Sequence, residues 1–549
     1  MARTPLLRAF RRLAEEHRSA ERLGIPPAEL RGRREEAALS RREFLKRAGV
    51  TGAAIAVAGP AALAERASAA TAPRIAIVGG GIAGLNAALT LADKGVAATV
   101  YEASTRFGGR MHSDSGYWAD GQVSEFCGEL IDTGHMTIRH LAQRFGLPTV
   151  DLIAAQPNGS TDTNWFLGDY YSPDDADKDF QPIHQALQNQ VQQTSYPTTF
   201  FTHTDAGIRF DQMSVYDWIA NENFVAGGHD SRMGRLLDAA YNEEYGAETR
   251  DQAALNLIYL LAYQASPGNF SIFGASDERF HISGGNEQLP KAITTYLGSA
   301  SLKPGWAMQS IAANTDGTVS LGFTTPGKPQ TLKFDHVILC VSFAVLRTLD
   351  YSGAGFAALK ETAITQLGAG RNSKLQLQFA NRYWNTQGLW GRSNGNVYSD
   401  LGIQNTWDVS RGQSGQSGIL VNYSGGDVAG AFAPSTPYSN AATSTQVTKY
   451  AKTFLGRLET IFPGIGKQWT GKATLSTPWL DPLLNCSYSY WKPGQYVGFS
   501  GWEGLAQGPT GNIHFAGEHC SQDFQGYMEG GAMEGARAAN EILAALKKL

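Results

Sequence analysis

Gly79-x-Gly81-x-x-Gly84 stands between a short apolar run, Ile75–Val78, and an Ala/Leu-rich stretch of helical pattern. A second run, Ala97–Tyr101, ends in Glu102. These residue types at this spacing can hold a pyrophosphate. The first glycine permits a tight turn, the second lets phosphate approach the backbone, and the third lets helix and strand pack closely. The helix that follows offers free N–H groups and the positive end of its dipole to the anion. Glu102 falls at about the 20-residue offset at which a carboxylate accepts from a ribose hydroxyl. Gly108-Gly109-Arg110 comes just after it and suggests a second contact with the same ligand. Glycine motifs return near the other end, as Ile513-His-Phe-Ala-Gly517-Glu518 and Gly526-Tyr527-Met528-Glu529-Gly530-Gly531.

The elements that must position these groups follow from the order of the runs. Strand, glycine turn, helix and strand in register make an α/β unit. Because its signals sit at both ends, the natural architecture is a discontinuous Rossmann-like domain with an inserted α+β substrate domain that includes a helical lobe. The expected division assigns 73–147, 280–350 and 480–549 to the dinucleotide domain, and 148–279 and 351–479 to the substrate domain. Phe334–Val341 is expected as a buried strand, His281–Leu289 as a Gly-Gly turn leading into a helix, and Ala253–Gln264 as helical. A chain of 549 residues can bury a large core in two or more domains. Net charge is -4 and charged residues make up 17%, so no basic surface points to nucleic acid. The four cysteines, Cys127, Cys340, Cys486 and Cys520, have no metal-ligand or disulfide-framework spacing, and no metal is expected.

Residues 1–72 read as a leader rather than as fold. Ser40-Arg-Arg-Glu-Phe-Leu-Lys46 matches a twin-arginine export signal, an apolar Ala/Gly-rich run Ala48–Ala64 follows, and Ala67-Ser-Ala69 offers a cleavage site. The implied partner is the twin-arginine translocase and the implied location periplasmic or extracellular. That route carries folded protein, which suits a chain that binds its cofactor before export.

Taken together, these motifs resemble the flavin-dependent amine oxidase family, which includes monoamine, polyamine and L-amino-acid oxidases. The resemblance runs from Ile75 to about Leu543. It rests on the Gly79–Gly84 turn with Glu102, Gly108–Arg110, the Ile282–Gly285 turn, the Phe334–Val341 strand, Lys374 ten residues before Trp384, Cys486 with Pro493-Gly494, and the Phe515–Gly531 segment. It implies FAD, with Gly79, Gly81 and Gly84 at the pyrophosphate, Glu102 at the adenosine ribose, and Gly109 and Arg110 at the pyrophosphate and flavin. Met308 would contact the adenine side through its backbone, Glu518 would face the ribityl region, and the Met528 amide would donate to the flavin pyrimidine. Lys374 resembles the lysine that holds a water against flavin N5. Tyr527 resembles one wall of an aromatic cage, whose opposite position holds Ser487, so that Phe524, Tyr488 or Trp491 would have to supply a face. Cys486 aligns with the thioether cysteine of monoamine oxidases, while its Cys-Ser-Tyr-Ser context is similar to the Gly-Ser-Tyr-Ser of noncovalent members. Both linkages stay open, noncovalent favoured.

The implied reaction removes a hydride from the carbon beside a neutral amine, hydrolyses the imine to a carbonyl compound and ammonia, and returns electrons to dioxygen as hydrogen peroxide. A primary amine is the expected substrate, with Glu129 either meeting a distal ammonium or serving as a structural carboxylate at a helix cap. An L-amino acid is the alternative. Where venom-type enzymes carry a carboxylate-binding arginine this chain has Leu130, and Arg371 is the candidate substitute. A dehydrogenase or desaturase with a protein electron acceptor is the reading from a different class. Homodimerisation is compatible with all of these.

Overall fold

The computed structural model describes residues 72–194, 196–263 and 270–547. The twin-arginine stretch Ser40–Lys46 and the apolar run behind it lie outside the described residues. Among the described residues no helix is long and apolar enough to cross a membrane.

Ile75–Val78 is buried at every position, as a strand covered on both faces must be. It lies at the centre of a five-stranded sheet whose order is Ile513–Phe515, His336–Leu339, Ile75–Val78, Thr99–Glu102 and Leu302–Pro304. All four pairings are parallel. The chain leaves the central strand toward Thr99–Glu102 on one side, and later segments fill the other. This reversal opens a crevice at the carboxyl end of Ile75–Val78, where the glycine turn lies. The helix Ile82–Ala92 is buried nearly all round, because the final helix, Met528–Ala545, packs along it. Small residues permit the approach: a Cβ on Gly535 would collide with the Ala83 carbonyl, and Asn86 donates to the Ala532 carbonyl at 2.7 Å.

A four-stranded sheet, ordered Gln330–Phe334, Val319–Thr324, Ala307–Ala313 and Asp350–Gly353, lies beside this unit. An eight-stranded sheet holds Asn372–Phe379 between Gly418–Gly425 and Trp469–Ser476, antiparallel to both. Alternation along Lys374-Leu-Gln-Leu-Gln-Phe379 would by itself allow one wet face, yet every residue of the strand is buried. Leu375, Leu377 and Phe379 enter an apolar core, while Gln376 and Gln378 bond to Glu125, Ala119 and Gln122. Helices Pro173–Thr194, Asp205–Gln212, Val215–Ala220, Arg232–Tyr245 and Ala254–Leu261 form a lobe around Phe180, Trp218, Leu237 and Tyr241. The fold is mixed α/β.

Candidate active site

One cavity of about 570 Å³ runs from the glycine turn to the ends of the lobe helices. At its sheet end, Gly79 adopts φ +105°, and a Cβ there would press on the Cys340 carbonyl. Gly84 allows no Cβ either, because the Gly79 carbonyl fills that space. Gly81 differs: a Cβ there would meet nothing within 4 Å, so the backbone is bare toward the cavity. Glu102 accepts from the N–H of Gly80 at 2.6 Å and of Ser104 at 2.7 Å, which fixes its carboxylate at the cavity rim. Gly109, at φ +54°, lies against Gly81. Met308 is reached from the strand Ala307–Ala313 and lines the same end.

Farther in, Arg110 donates to Glu518 Oε1 at 3.0 Å and to the Ser487 carbonyl at 2.8 Å. Glu518 also receives the Ser489 N–H and hydroxyl and the Gly526 N–H. Burial opposes its ionisation, but Arg110 and these donors hold the carboxyl below the ordinary carboxylate range. His519 is buried and lines the cavity, and among the described residues neither ring nitrogen has a hydrogen-bond partner; burial drives its pKa down to about 4, so the imidazole is neutral. Met528 begins the final helix, so its N–H is one of those a helix leaves without an internal acceptor.

The geometry joins two residues that the sequence treats separately. Lys374 Nζ lies 2.6 Å from Glu129 Oε2, and Trp407 Nε1 donates to Glu129 Oε1 at 2.9 Å. Lys374 and Glu129 are 5% and 7% exposed, and the ammonium lies 5.3 Å from the Trp407 ring centroid. Burial would raise the Glu129 pKa, but Lys374 holds it below the usual value. The carboxylate is therefore paired inside the protein; it neither caps a helix nor stands open for a distal ammonium.

Tyr527 lines the cavity and donates to Glu244 Oε1 at 2.9 Å. Tyr488 also lines it, with its hydroxyl 2.9 Å from that of Tyr423 and bonded to the Glu244 carbonyl. Ser487 is present in the wall and donates to Asn372. Three expected site residues stand elsewhere. Trp491 packs on Tyr496 and Phe499 in the core beneath the sheet, and its carbonyl caps Ala253 and Asn256. Phe524 turns its ring onto His135. Neither lines the cavity. Cys486 is buried beside Ser342 and Arg347 and is also absent from the wall, whereas Cys127 and Cys340 belong to it. Burial pushes the thiols of Cys127 and Cys486 upward, Cys127 to about 11.

Sequence reasoning missed Glu243, Glu244 and Glu278, all of which line the cavity. A signal existed for two of them. Glu243-Glu244 occupies the last turn of Arg232–Tyr245, where the negative end of the helix dipole disfavours acids. Burial drives Glu244 up to about 8, against its bond from Tyr527 and with help from Asp132.

A parallel sheet with a glycine turn at its switch point, opening on a cavity, is the arrangement of a dinucleotide-binding α/β protein. The chain belongs to the flavin containing amine oxidoreductase family, whose model matches residues 82–543. It is 23% identical over 497 residues to the L-amino-acid oxidase of Daboia russelii, spanning 85% of this chain and 88% of the relative. It is 22% identical to that of Pseudechis australis over 501 residues, 86% of this chain and 87% of the relative. Among solved structures, cyclohexylamine oxidase from Brevibacterium oxydans IH-35A superposes with a TM-score of 0.71 at 22% identity, covering 86% of this chain and 99% of that one. Putrescine oxidase bound to putrescine superposes with a TM-score of 0.69 at 17% identity, over 86% and 99%. The family is flavin-containing and implies FAD. The bare backbone at Gly81, the unpartnered His519 nitrogens and the helix N-termini at Ile82 and Met528 fit a group that carries phosphates and a polar ring edge.

Proposed function

We propose that the protein is an FAD-dependent oxidase of primary amines, converting amine, dioxygen and water to a carbonyl compound, ammonia and hydrogen peroxide. FAD, when bound, supplies the hydride acceptor and the reaction with oxygen. Gly79, Gly81, Gly84, Gly109 and Arg110 would hold its pyrophosphate, Glu102 the ribose, Met308 the adenine side, Glu518 the ribityl region and Met528 the pyrimidine edge. Tyr527 and Tyr488 would orient the amine, which must lose its proton before oxidation, since the nitrogen lone pair drives hydride loss. Lys374, fixed by Glu129, keeps a positive charge at one point of the wall. In this reading the FAD-binding part is 73–147, 280–350 and 480–549, and the substrate part is 148–279 and 351–479.

The observation that carries the amine over the L-amino acid is the state of the cations. An amino acid's carboxylate needs a free cation. Arg110 is paired with Glu518 and Lys374 with Glu129. Arg106 donates to the carbonyls of Phe107, Gly109 and Met111. Leu130 carries no charge, and Arg371, half exposed beside Asp427, is not part of the cavity wall. The wall's other acidic residues, among them Glu243, Glu244 and Glu278, offer a carboxylate no positive charge. The likeness to venom L-amino-acid oxidases supports the second reading. A peroxide-coupled screen of primary amines and L-amino acids on the purified yellow protein separates them. Amines are expected to turn over with ammonia release and L-amino acids at under a tenth of that rate; the reverse order sinks the reading.

We further infer noncovalent FAD, because Cys486 is not part of the wall; acid precipitation should release all flavin to the supernatant. Export through the twin-arginine translocase follows from Ser40–Lys46. It predicts a mature N-terminus near Ala69 in the secreted protein, read by N-terminal sequencing.

A further inference from the structure

At the amino ends of two neighbouring strands, the opposite end of the sheet from the glycine turn, three polar atoms are enclosed without a partner. Ile338 pairs with His514 in the parallel register of His336–Leu339 and Ile513–Phe515. Because side chains alternate along a strand, His336, Asn512 and His514 all fall on the face of Ile338, which the final helix covers with Ala538 and Ile542. His514 is 3% and Asn512 2% exposed, and His336 is half-buried. Among the described residues, His336 Nδ1, His514 Nε2 and Asn512 Oδ1 are shielded from solvent and have no hydrogen-bond partner. The Asn512 amide is oriented. Its Nδ2 donates to the Gly317 and Asp335 carbonyls at 2.9 and 2.8 Å, which leaves the oxygen as the open atom. His514 is oriented too: its Nδ1 lies 2.7 Å from Glu541 Oε2, and Arg537 holds the other oxygen of that carboxylate.

Buried polar groups in native proteins are satisfied almost without exception, so three open ones on one face point to a partner from outside the chain. The chemistry of the set selects that partner. A proton held on His514 Nδ1 against the Glu541 carboxylate leaves Nε2 of the neutral ring as a bare lone pair, and an amide oxygen is likewise an acceptor. A carboxylate behind an imidazole is how a metal-ligating histidine is fixed in tautomer and orientation. The His336 and His514 ring centroids are 5.9 Å apart. Two imidazoles on opposite sides of one zinc ion, at Zn–N of about 2.0–2.1 Å, set their centroids at most about 6.4 Å apart, so one ion can reach both. Among the described residues no three of His, Cys, Asp and Glu gather for a metal. The donors here are two imidazoles and an amide oxygen, a set that suits zinc better than calcium or magnesium.

We propose that His336 Nδ1 and His514 Nε2 ligate one zinc ion, with Asn512 Oδ1 as the third donor and Glu541 as the residue that positions His514. The ion ties the strands His336–Leu339 and Ile513–Phe515 to the helix Met528–Ala545, which carries Glu541. Its role is structural. The cavity opens at the carboxyl ends of the same strands, and none of these four residues lines it. This holds whichever substrate the cavity takes.

The test uses the untagged, FAD-loaded enzyme, stripped with a chelator and dialysed at about pH 8, where free imidazoles are neutral, against zinc, calcium or magnesium chloride. By metal analysis the wild type should retain one zinc per chain and neither of the hard cations, which choose oxygen ligands. Its melting temperature should rise with the logarithm of free zinc. His336→Asn and His514→Phe should each abolish both the retention and the rise; the first, at the half-buried position, carries the test if the second does not fold. Glu541→Gln should keep the zinc but weaken its binding about 10–100-fold, as loss of an orienting partner does. Copper(II) in place of zinc needs no variant, and its electron spin resonance should show nitrogen splitting from two imidazoles. Zinc retention no greater than that of calcium, or retention undiminished in a folded His336→Asn, overturns the site and assigns the three atoms to an enclosed water.

Discussion

Lys374 and Glu129 form the most consequential side-chain contact in the site, and its energetics are lopsided. Removing one partner leaves the other charged and buried, which costs about 3–5 kcal/mol, whereas removing both costs far less. Lys374→Met is therefore expected to lower unfolding free energy by about that amount, and Lys374→Met with Glu129→Gln to recover most of it, as read by urea denaturation. The pair also sets a pH response. The Glu129 carboxyl titrates below its unfolded value, so its stabilisation is present above about 4.3 and is lost as pH falls through the lower folded pKa. Glu244 acts in the opposite sense. Its folded pKa of about 8 means the native state binds more protons, so stability declines as pH rises from about 4.3 to 8. Glu244→Gln removes that decline, and its melting temperature relative to wild type should be higher at pH 9 than at pH 5.5. Equal differences at both pH values count against the assignment.

At the scale of elements, the glycine turn was legible because its chemistry is local: strand, turn and helix are adjacent in the chain. Two substitutions separate its tasks. Gly84→Ala drives a methyl into the Gly79 carbonyl and should reduce folded protein as well as flavin content. Gly81→Ala meets no protein atom and should leave thermal stability of the apoprotein unchanged while cutting the flavin-to-protein absorbance ratio. The strand Asn372–Phe379 illustrates what was not legible. Its alternation suggests a solvated face, but Glu125, Ala119 and Gln122 supply that face with partners about 250 positions away, shown by the 251-residue separation of Gln376 from Glu125. The Lys374–Glu129 contact spans 245 positions, and no pattern within a window announces it. Trp491 and Phe524 went astray for a related reason. Both stand in segments that touch the cavity, but side-chain direction depends on the local turn, and their rings face the Phe499 core and His135 instead. Glu243-Glu244 was visible only as a broken rule, two acids at the wrong end of a helix, the kind of local conflict that functional sites tolerate.

At the scale of the molecule, segments near residues 79, 110, 342, 374, 487 and 518 meet around one cavity, so ligand binding should be felt throughout the fold. Adding FAD to flavin-depleted protein at about a hundredfold excess over Kd should stabilise it by about 2.7 kcal/mol, with a concentration-dependent rise in melting temperature. No shift would mean that the cavity does not hold the nucleotide.

The buckle between the first and last helices carries a further consequence. Asn86 waits for Ala532 across 446 positions, and Gly535 lies so close along Ala83 that a Cβ there would strike the Ala83 carbonyl. A ribosome delivers the amino-terminal half of that clasp long before the carboxyl-terminal half exists. Until that last helix is made, the nascent sheet lacks the cover of Ala538, Ala539, Ile542 and Leu543, and a polypeptide cut before Met528 would lack it altogether.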